Sequence, residues 1–148
     1  MFDSSVALEV LVVRLTSRAL LPQKGHPTDA GFDLAIPEDC TLGGQKRLVI
    51  DLEIALQIPD GWYGQIFGRS SVFQRGFFIH PGVIDAGYRG AVQLLVENQL
   101  HSSQHLQRGD RLAQLLFLPV PAVTLKRVTP EALNRTLRGT GGLGSTGR

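Results

Sequence analysis

Residues 82–90 read Gly-Val-Ile-Asp-Ala-Gly-Tyr-Arg-Gly. They set a carboxylate, Asp85, three residues before a phenol ring, Tyr88, among glycines that leave the backbone open. An acid, a ring and accessible backbone groups can read a small flat ligand. Both residues are also ordinary turn residues, since aspartate is common in turns. A second cluster is Gly68-Arg69-Ser70-Ser71. An arginine and two hydroxyls at a helix start suit an anion, because the first helical N–H groups are unpaired. A serine cap beside a surface arginine explains the same four residues. The third cluster is residues 138–147, where Arg138, five glycines, Ser145 and Thr146 crowd together. An arginine, free N–H groups and hydroxyls are what a polyphosphate needs. A glycine-rich terminus is also, ordinarily, just a mobile end.

Other chemical-looking features carry less. The tail spells GxGxxG twice, yet a dinucleotide fold needs that motif between a strand and a helix, and here the chain ends at Arg148. A phosphate loop of the GxxxxGK[ST] kind fails for want of a lysine. Asp33, two residues after Gly31, and Asp110, next to Gly109, read as turn residues. Arg108-Gly109-Asp110 spells an adhesion tripeptide, but a strand follows at once and no secretory signal precedes it. His101 and His105 have a metal-ligand spacing on a helix, yet they sit in a Ser/Gln-rich stretch with no third ligand.

These residues must be positioned by a scaffold of one domain's size, 148 residues. Apolar content of 43% and charged content of 19% suit a folded chain. A net charge of +2 gives no reason to expect a nucleic-acid or membrane partner, and no apolar run approaches spanning length. Cys40, the only cysteine, cannot form an internal disulfide, which favours a reducing compartment. The expectation is a soluble intracellular protein in the cytoplasm, the nucleus or both.

Hydrophobic patterning predicts strands at 8–15, 31–36, 62–67, 77–84, 91–98, 112–120 and 123–128. The strongest signal is at 48–58, where Leu48, Ile50, Leu52, Ile54, Leu56 and Ile58 alternate with mostly polar neighbours. It predicts one strand with one buried and one wet face. Residues 82–90 read as a strand, an Asp-Ala-Gly turn and the start of a return strand, hence a hairpin. Residues 101–109 read as a loop. Residues 70–75, stopped by Gly76, can make a short helix, and Thr129-Pro130-Glu131 resembles another helix start. Many short strands, frequent turns and almost no helix predict an all-β barrel or sandwich.

Taken in order, AGFDL (30–34), GRSSV (68–72), GVIDAGYRG (82–90), GDRLAQL (109–115) and RGTGGLGSTG (138–147) resemble the five motifs of the trimeric dUTPases, the deoxyuridine triphosphate nucleotidohydrolases. The resemblance implies a jelly-roll-like β-barrel of the β-clip type over residues 1–135, with 136–148 a flexible arm that closes over an active site. It implies a homotrimer with sites at subunit interfaces, dUTP as substrate, Mg²⁺ as cofactor, and hydrolysis to dUMP and pyrophosphate. That reaction keeps uracil out of DNA and supplies dUMP for dTMP synthesis.

By the same resemblance, Gly82, Val83, Ile84, Asp85, Gly87 and Tyr88 bind uracil and deoxyribose. Asp85 orients and deprotonates the water that attacks the α-phosphorus. Arg69, Ser70, Ser71, Gln114, Arg138, Gly144, Ser145 and Thr146 contact phosphates. Mg²⁺ rides on the triphosphate, with Asp33 reaching it through water. Two positions depart from the family pattern. Leu143 stands where a phenylalanine usually covers uracil. Phe73 stands where a small residue is usual, which predicts altered packing around the short helix. The sister enzyme dCTP deaminase shares the barrel and an Arg-Ser-Ser segment, but the Asp85/Tyr88 pair and the Gly-Ser-Thr-Gly tail favour dUTP hydrolysis. A non-catalytic nucleotide- or protein-binding regulator on the same fold would have little use for both features.

Overall fold

A computed structural model describes residues 7–144. In chain order its strands are β1 (Leu11–Arg14), β2 (Phe32–Ala35), β3 (Cys40–Leu42), β4 (Arg47–Asp51), β5 (Ile54–Gln57) and β6 (Trp62–Gly68). The short helix α1 (Ser70–Gln74) follows. Then come β7 (Phe77–Ile79), β8 (Gly82–Ile84), β9 (Gln93–Asn98), β10 (Gln104–Leu106) and β11 (Arg111–Pro119), with a single 3-10 turn at Pro130–Ala132. The expected all-β architecture is therefore present, and no helix among the described residues is long and apolar enough to cross a membrane.

The strands pair antiparallel in the orders β2-β11-β6-β8, β4-β9-β7, β1-β5 and β3-β10. All four ladders surround one apolar core. Leu34, Ile66, Leu112 and Leu115 enter it from the four-stranded sheet, and Phe77, Leu94 and Val96 from the three-stranded one. Leu56 and Leu106 close it from the two small ladders. Burying a side chain of this size contributes about 1.5–3 kcal/mol each, so this cluster holds the sheets together.

The alternation at 48–58 spans two strands and not one. β4 pairs with β9, whereas β5 pairs with β1. The chain changes sheet at Leu52-Glu53, where Glu53 takes a φ of 58° and its N–H donates to the Asp51 carboxylate at 2.7 Å. Glu53 was expected on the wet face and is instead only 9% exposed. Arg18 Nε donates to both of its carboxylate oxygens at 2.9 Å, Arg18 Nη2 joins, and the Thr16 hydroxyl donates at 2.5 Å. These partners, Arg18 first, hold the Glu53 carboxyl down at about 2. Period two records which side chains point inward; it does not record a change of hydrogen-bonding partner.

Three more expectations are corrected. Pro81 lacks an N–H for the ladder, and 77–84 breaks there into β7 and β8, in different sheets. Residues 101–109 contain β10, paired with β3. Residues 123–128 form no strand. Val120 N–H still bonds to Gly61 O at 2.8 Å, but every backbone hydrogen bond of residues 121–144 is local. Val123 and Leu125 stay exposed, Leu125 at 97%.

Candidate functional site

The 82–90 segment does not close a two-stranded hairpin. β8 pairs with β6, while β9 pairs with β4 and β7, so the turn carries the chain from one sheet to the other. The turn itself is as expected, with Tyr88 N–H bonded to Asp85 O at 3.0 Å. Its own groups fix it further. Arg89 Nη1 donates to Ala86 O at 2.6 Å and to Tyr88 O at 3.1 Å. The Tyr88 hydroxyl donates to Ala91 O at 2.9 Å. A Cβ at Gly90 would stand 2.5 Å from the Tyr88 Oη, so only glycine lets the ring fold back this way.

This turn encloses a cavity of about 210 Å³, below the roughly 300–1,000 Å³ of a pocket for a drug-sized ligand. It has room for a base and part of a sugar. Ile66, Ile84 and Val92 are its buried apolar lining, and Gly82, Val83, Asp85 and Tyr88 are among the residues that complete it. Gly87 forms the turn without lining the cavity. β8 is the last strand of its sheet, so one backbone edge remains available to a ligand. Gln65 Nε2, donating to Gly82 O at 3.1 Å, steadies that edge. The exposed Asp85 carboxylate makes no hydrogen bond or ion pair with any described residue.

A second cavity, of about 490 Å³, opens where β6 ends and α1 begins. Arg69, Ser70 and Gln114 line it together with the rings of Phe67, Phe73 and Phe78. Ser71 lies next to Ser70 in the first turn of α1, exposed. Arg69 N–H bonds to Leu112 O at 3.2 Å, which ties the α1 start to β11. Gln114 faces Asp33 across the β2-β11 ladder and Phe67 across the β11-β6 ladder. Asp33 reaches both arginines of the region: Oδ1 lies 3.3 Å from Arg69 Nε, and Oδ2 accepts from Arg111 Nη1 at 3.1 Å. Phe73 is 66% exposed, and Val72 is the buried residue of α1. The large ring therefore lines the cavity and does not enter the core, which α1 reaches through Val72.

No group of three or more His, Cys, Asp or Glu side chains that could hold a metal exists among the described residues. His105 lies near Thr41 and Asp39, in a surface contact. In the Arg-Gly-Asp turn, the Asp110 carboxylate accepts from Gln107 N–H at 3.0 Å and Arg108 Nη2 donates to Arg18 O at 3.1 Å. The turn uses its own recognition groups internally.

The described tail residues, up to Gly144, join neither cavity. Arg138 Nε donates to Gly141 O at 3.0 Å, Gly144 has a φ of 75°, and Leu143 is fully exposed. Ser145 and Thr146 lie outside the described residues. Within one chain, then, the sequence candidates form two groups. Gly82, Val83, Ile84, Asp85 and Tyr88 share one cavity; Arg69, Ser70 and Gln114 share another, with Asp33 behind them. The two cavities have no lining residue in common. Sequence reasoning gave no role to Arg111, Arg89 or Gly31. A Cβ at Gly31 would stand 3.0 Å from Gln114 Oε1. Two antiparallel motifs in register would have exposed the Arg111 and Gly31 roles, but register is not visible in a single chain's patterning.

A family model for dUTPase matches residues 17–147. A deoxyuridine 5'-triphosphate nucleotidohydrolase of Fowlpox virus is 38% identical over 141 residues, covering 94% of this chain and 97% of that one. One from Arabidopsis thaliana is 34% identical over 146 residues, covering 98% and 87%. Among solved structures, a dUTPase of Staphylococcus bacteriophage 80alpha with dUpNHpp superposes with a TM-score of 0.88 at 28% identity, covering 95% of this chain and 99% of that one. A dUTPase from phage phi11 of S. aureus, described for its coordination of a structural Mg(II) ion, gives 0.77 at 28% identity over 81% and 96%.

Proposed function

This chain belongs to the dUTPase family, and we propose that its two cavities are the base half and the phosphate half of one dUTP site. The protein hydrolyses dUTP to dUMP and pyrophosphate. Such a reaction lowers the dUTP available to DNA synthesis and yields the precursor for dTMP.

Uracil presents one N–H donor between two carbonyl acceptors. The free backbone edge of β8 can match that pattern, while cytosine would leave buried polar groups unpaired at about 1–3 kcal/mol each. A narrow slot here would exclude the methyl of thymine. Tyr88, held against Ala91 O, packs on the deoxyribose and leaves no place for a 2′-hydroxyl. Asp85 at the cavity mouth takes a proton from water as that water attacks the α-phosphorus. The observation that carries this reading is its unpartnered carboxylate beside a base-sized cavity.

Arg69, Ser70, Ser71 and Gln114 bind the phosphates, where charge develops in the transition state. Arg138, Leu143 and Gly144, with Ser145 and Thr146, close over the nucleotide as an arm formed by 136–148. The described residues do not fit a magnesium cage of their own, because no acidic cluster exists and both Asp33 oxygens face guanidinium groups. Mg²⁺ accordingly arrives on the triphosphate, keeping water in its shell. A homotrimer supplies the remaining geometry: one copy offers the base half, a second the phosphate half, a third the arm. Two cavities without shared lining and an arm with no buried residue among the described 136–144 support that assembly. The compartment in this reading is intracellular, where deoxynucleotides are made.

The test is pyrophosphate release from dUTP, dCTP, dTTP and UTP with Mg²⁺. Release from dUTP alone is expected. Ammonia from dCTP would mean the sister deaminase chemistry; tight dUTP binding without turnover would mean a regulator.

A further inference from the structure

The first motif, AGFDL, runs into β2 and lines neither cavity, and its aspartate joins no metal cluster among the described residues. We propose that Asp33 and Arg111 form a clamp that presets the Arg69 guanidinium for the nucleotide's phosphates. The inference rests on the reading that Arg69 contacts those phosphates.

The geometry is specific. Asp33 is the most buried of the three side chains, at 17% exposure against 32% for Arg69 and 55% for Arg111. Its two oxygens are divided between the arginines, 3.3 Å to Arg69 Nε and 3.1 Å to Arg111 Nη1. Arg69 Nη1 is drawn to the Arg111 carbonyl at 3.4 Å. Backbone at both ends fixes the frame: Arg69 N–H bonds to Leu112 O, and Gln114 pairs with Asp33 across the ladder. Arg69 thus sets Nε against the Asp33 carboxylate as an ion pair and donates from Nη1 to the protein. Its Nη2, with two N–H donors, makes no bond to a described residue and is the end left for an oxyanion.

Two neighbouring guanidinium groups repel, and a carboxylate between them removes that cost. A guanidinium fixed along one side also loses less rotamer freedom on binding a phosphate. A divalent cation reaching the same carboxylate, even through water, would have to approach two positive charges. Gly31 completes the arrangement. Its missing Cβ leaves the place that the Gln114 side-chain oxygen occupies. The motif is then a mould for its neighbours' side chains, and Asp33 and Arg111 are positioning residues.

The experiment compares Asp33→Asn, Arg111→Ala and the double variant with wild type. Melting first confirms that each is folded; Arg111, exposed, is the safer substitution. Binding of dUpNHpp is then set against binding of deoxyuridine, which carries no phosphate, and Mg²⁺ half-saturation is measured in turnover. Each single variant should weaken dUpNHpp roughly tenfold, with the double no worse than about the poorer single, because both act through one element. Deoxyuridine binding and Mg²⁺ half-saturation should stay within about twofold of wild type. A tenfold shift of Mg²⁺ half-saturation in Asp33→Asn but not in Arg111→Ala would overturn the clamp and return the carboxylate to the cation. Additive losses, unchanged dUpNHpp affinity, or equal losses for deoxyuridine would also overturn it. A wild type that binds dUpNHpp but never releases pyrophosphate would defeat the hydrolase reading alone, and the clamp would still be judged by the binding data.

Discussion

The base half and the phosphate half share strand β6, yet they are built in opposite ways. Ile66 of β6 lines the base cavity, and its next neighbours Phe67 and Gly68 line the phosphate cavity. The base half is almost local: residues 82–93 supply most of its wall, and the turn is stapled by Arg89 and Tyr88 to carbonyls within three positions. The phosphate half is assembled from β2, the β6-α1 junction and β11, whose key residues are far apart in sequence. A rigid local loop suits selection of a base by shape and edge. Charge gathered from three elements suits an anion whose geometry changes during reaction.

That contrast can be broken by substitution. The largest effect belongs to Asp85→Asn. Losing the general base should lower kcat by about 10²–10⁴-fold. Affinity for dUpNHpp should stay within a few-fold, because the turn's hydrogen bonds do not use that carboxylate. Stopped pyrophosphate assays and calorimetry check the pair of values. Truncation after Thr136 removes the proposed arm and should lower kcat/KM by about 10²-fold through lost positioning. An incidental tail would leave turnover unchanged.

Gly90→Ala strikes the local half alone. The added methyl displaces the Tyr88 ring, so discrimination of dUTP against UTP should fall by roughly tenfold, about 1.4 kcal/mol. Comparison of kcat/KM for the two nucleotides gives the number. Glu53 belongs to neither half and serves as a control. Its folded carboxyl sits at about 2 against an ordinary 4.5, so its contribution to stability is complete above 4.5 and is lost as pH falls through about 2. Melting temperatures of wild type and Glu53→Gln should therefore differ most near neutrality and converge in acid. The smallest effect is Leu143→Phe, where an aromatic cover adds on the order of 1 kcal/mol to arm closure and should lower KM about fivefold. No change in KM or kcat would sever Leu143 from the base.

The contrast also accounts for what could be read from the sequence. The turn at 85–88 was legible because a turn is local and announces itself through Asp, Gly and the alternation on either side. Arg69 and Gln114 were legible as types. The Asp33-Arg69-Arg111 clamp was not, since it depends on the β2-β11 register and on the bulge between Arg111 and Ala113. The sheet change at Glu53 was hidden by an unbroken period-two pattern. The 123–128 stretch has strand-like residues but finds no partner strand among the described residues, so propensity alone misread it.

Whether the two halves meet between copies can be tested by complementation. Asp85→Asn spoils only the base half and Arg69→Ala only the phosphate half. Each protein alone should be nearly inactive. Co-expressed with different tags and purified as mixed assemblies, they should regain roughly a quarter of wild-type pyrophosphate release, because random assembly pairs an intact base half with an intact phosphate half in about one site of four. A mixture as inactive as its components would contradict the account, for it would mean that each chain completes its own site.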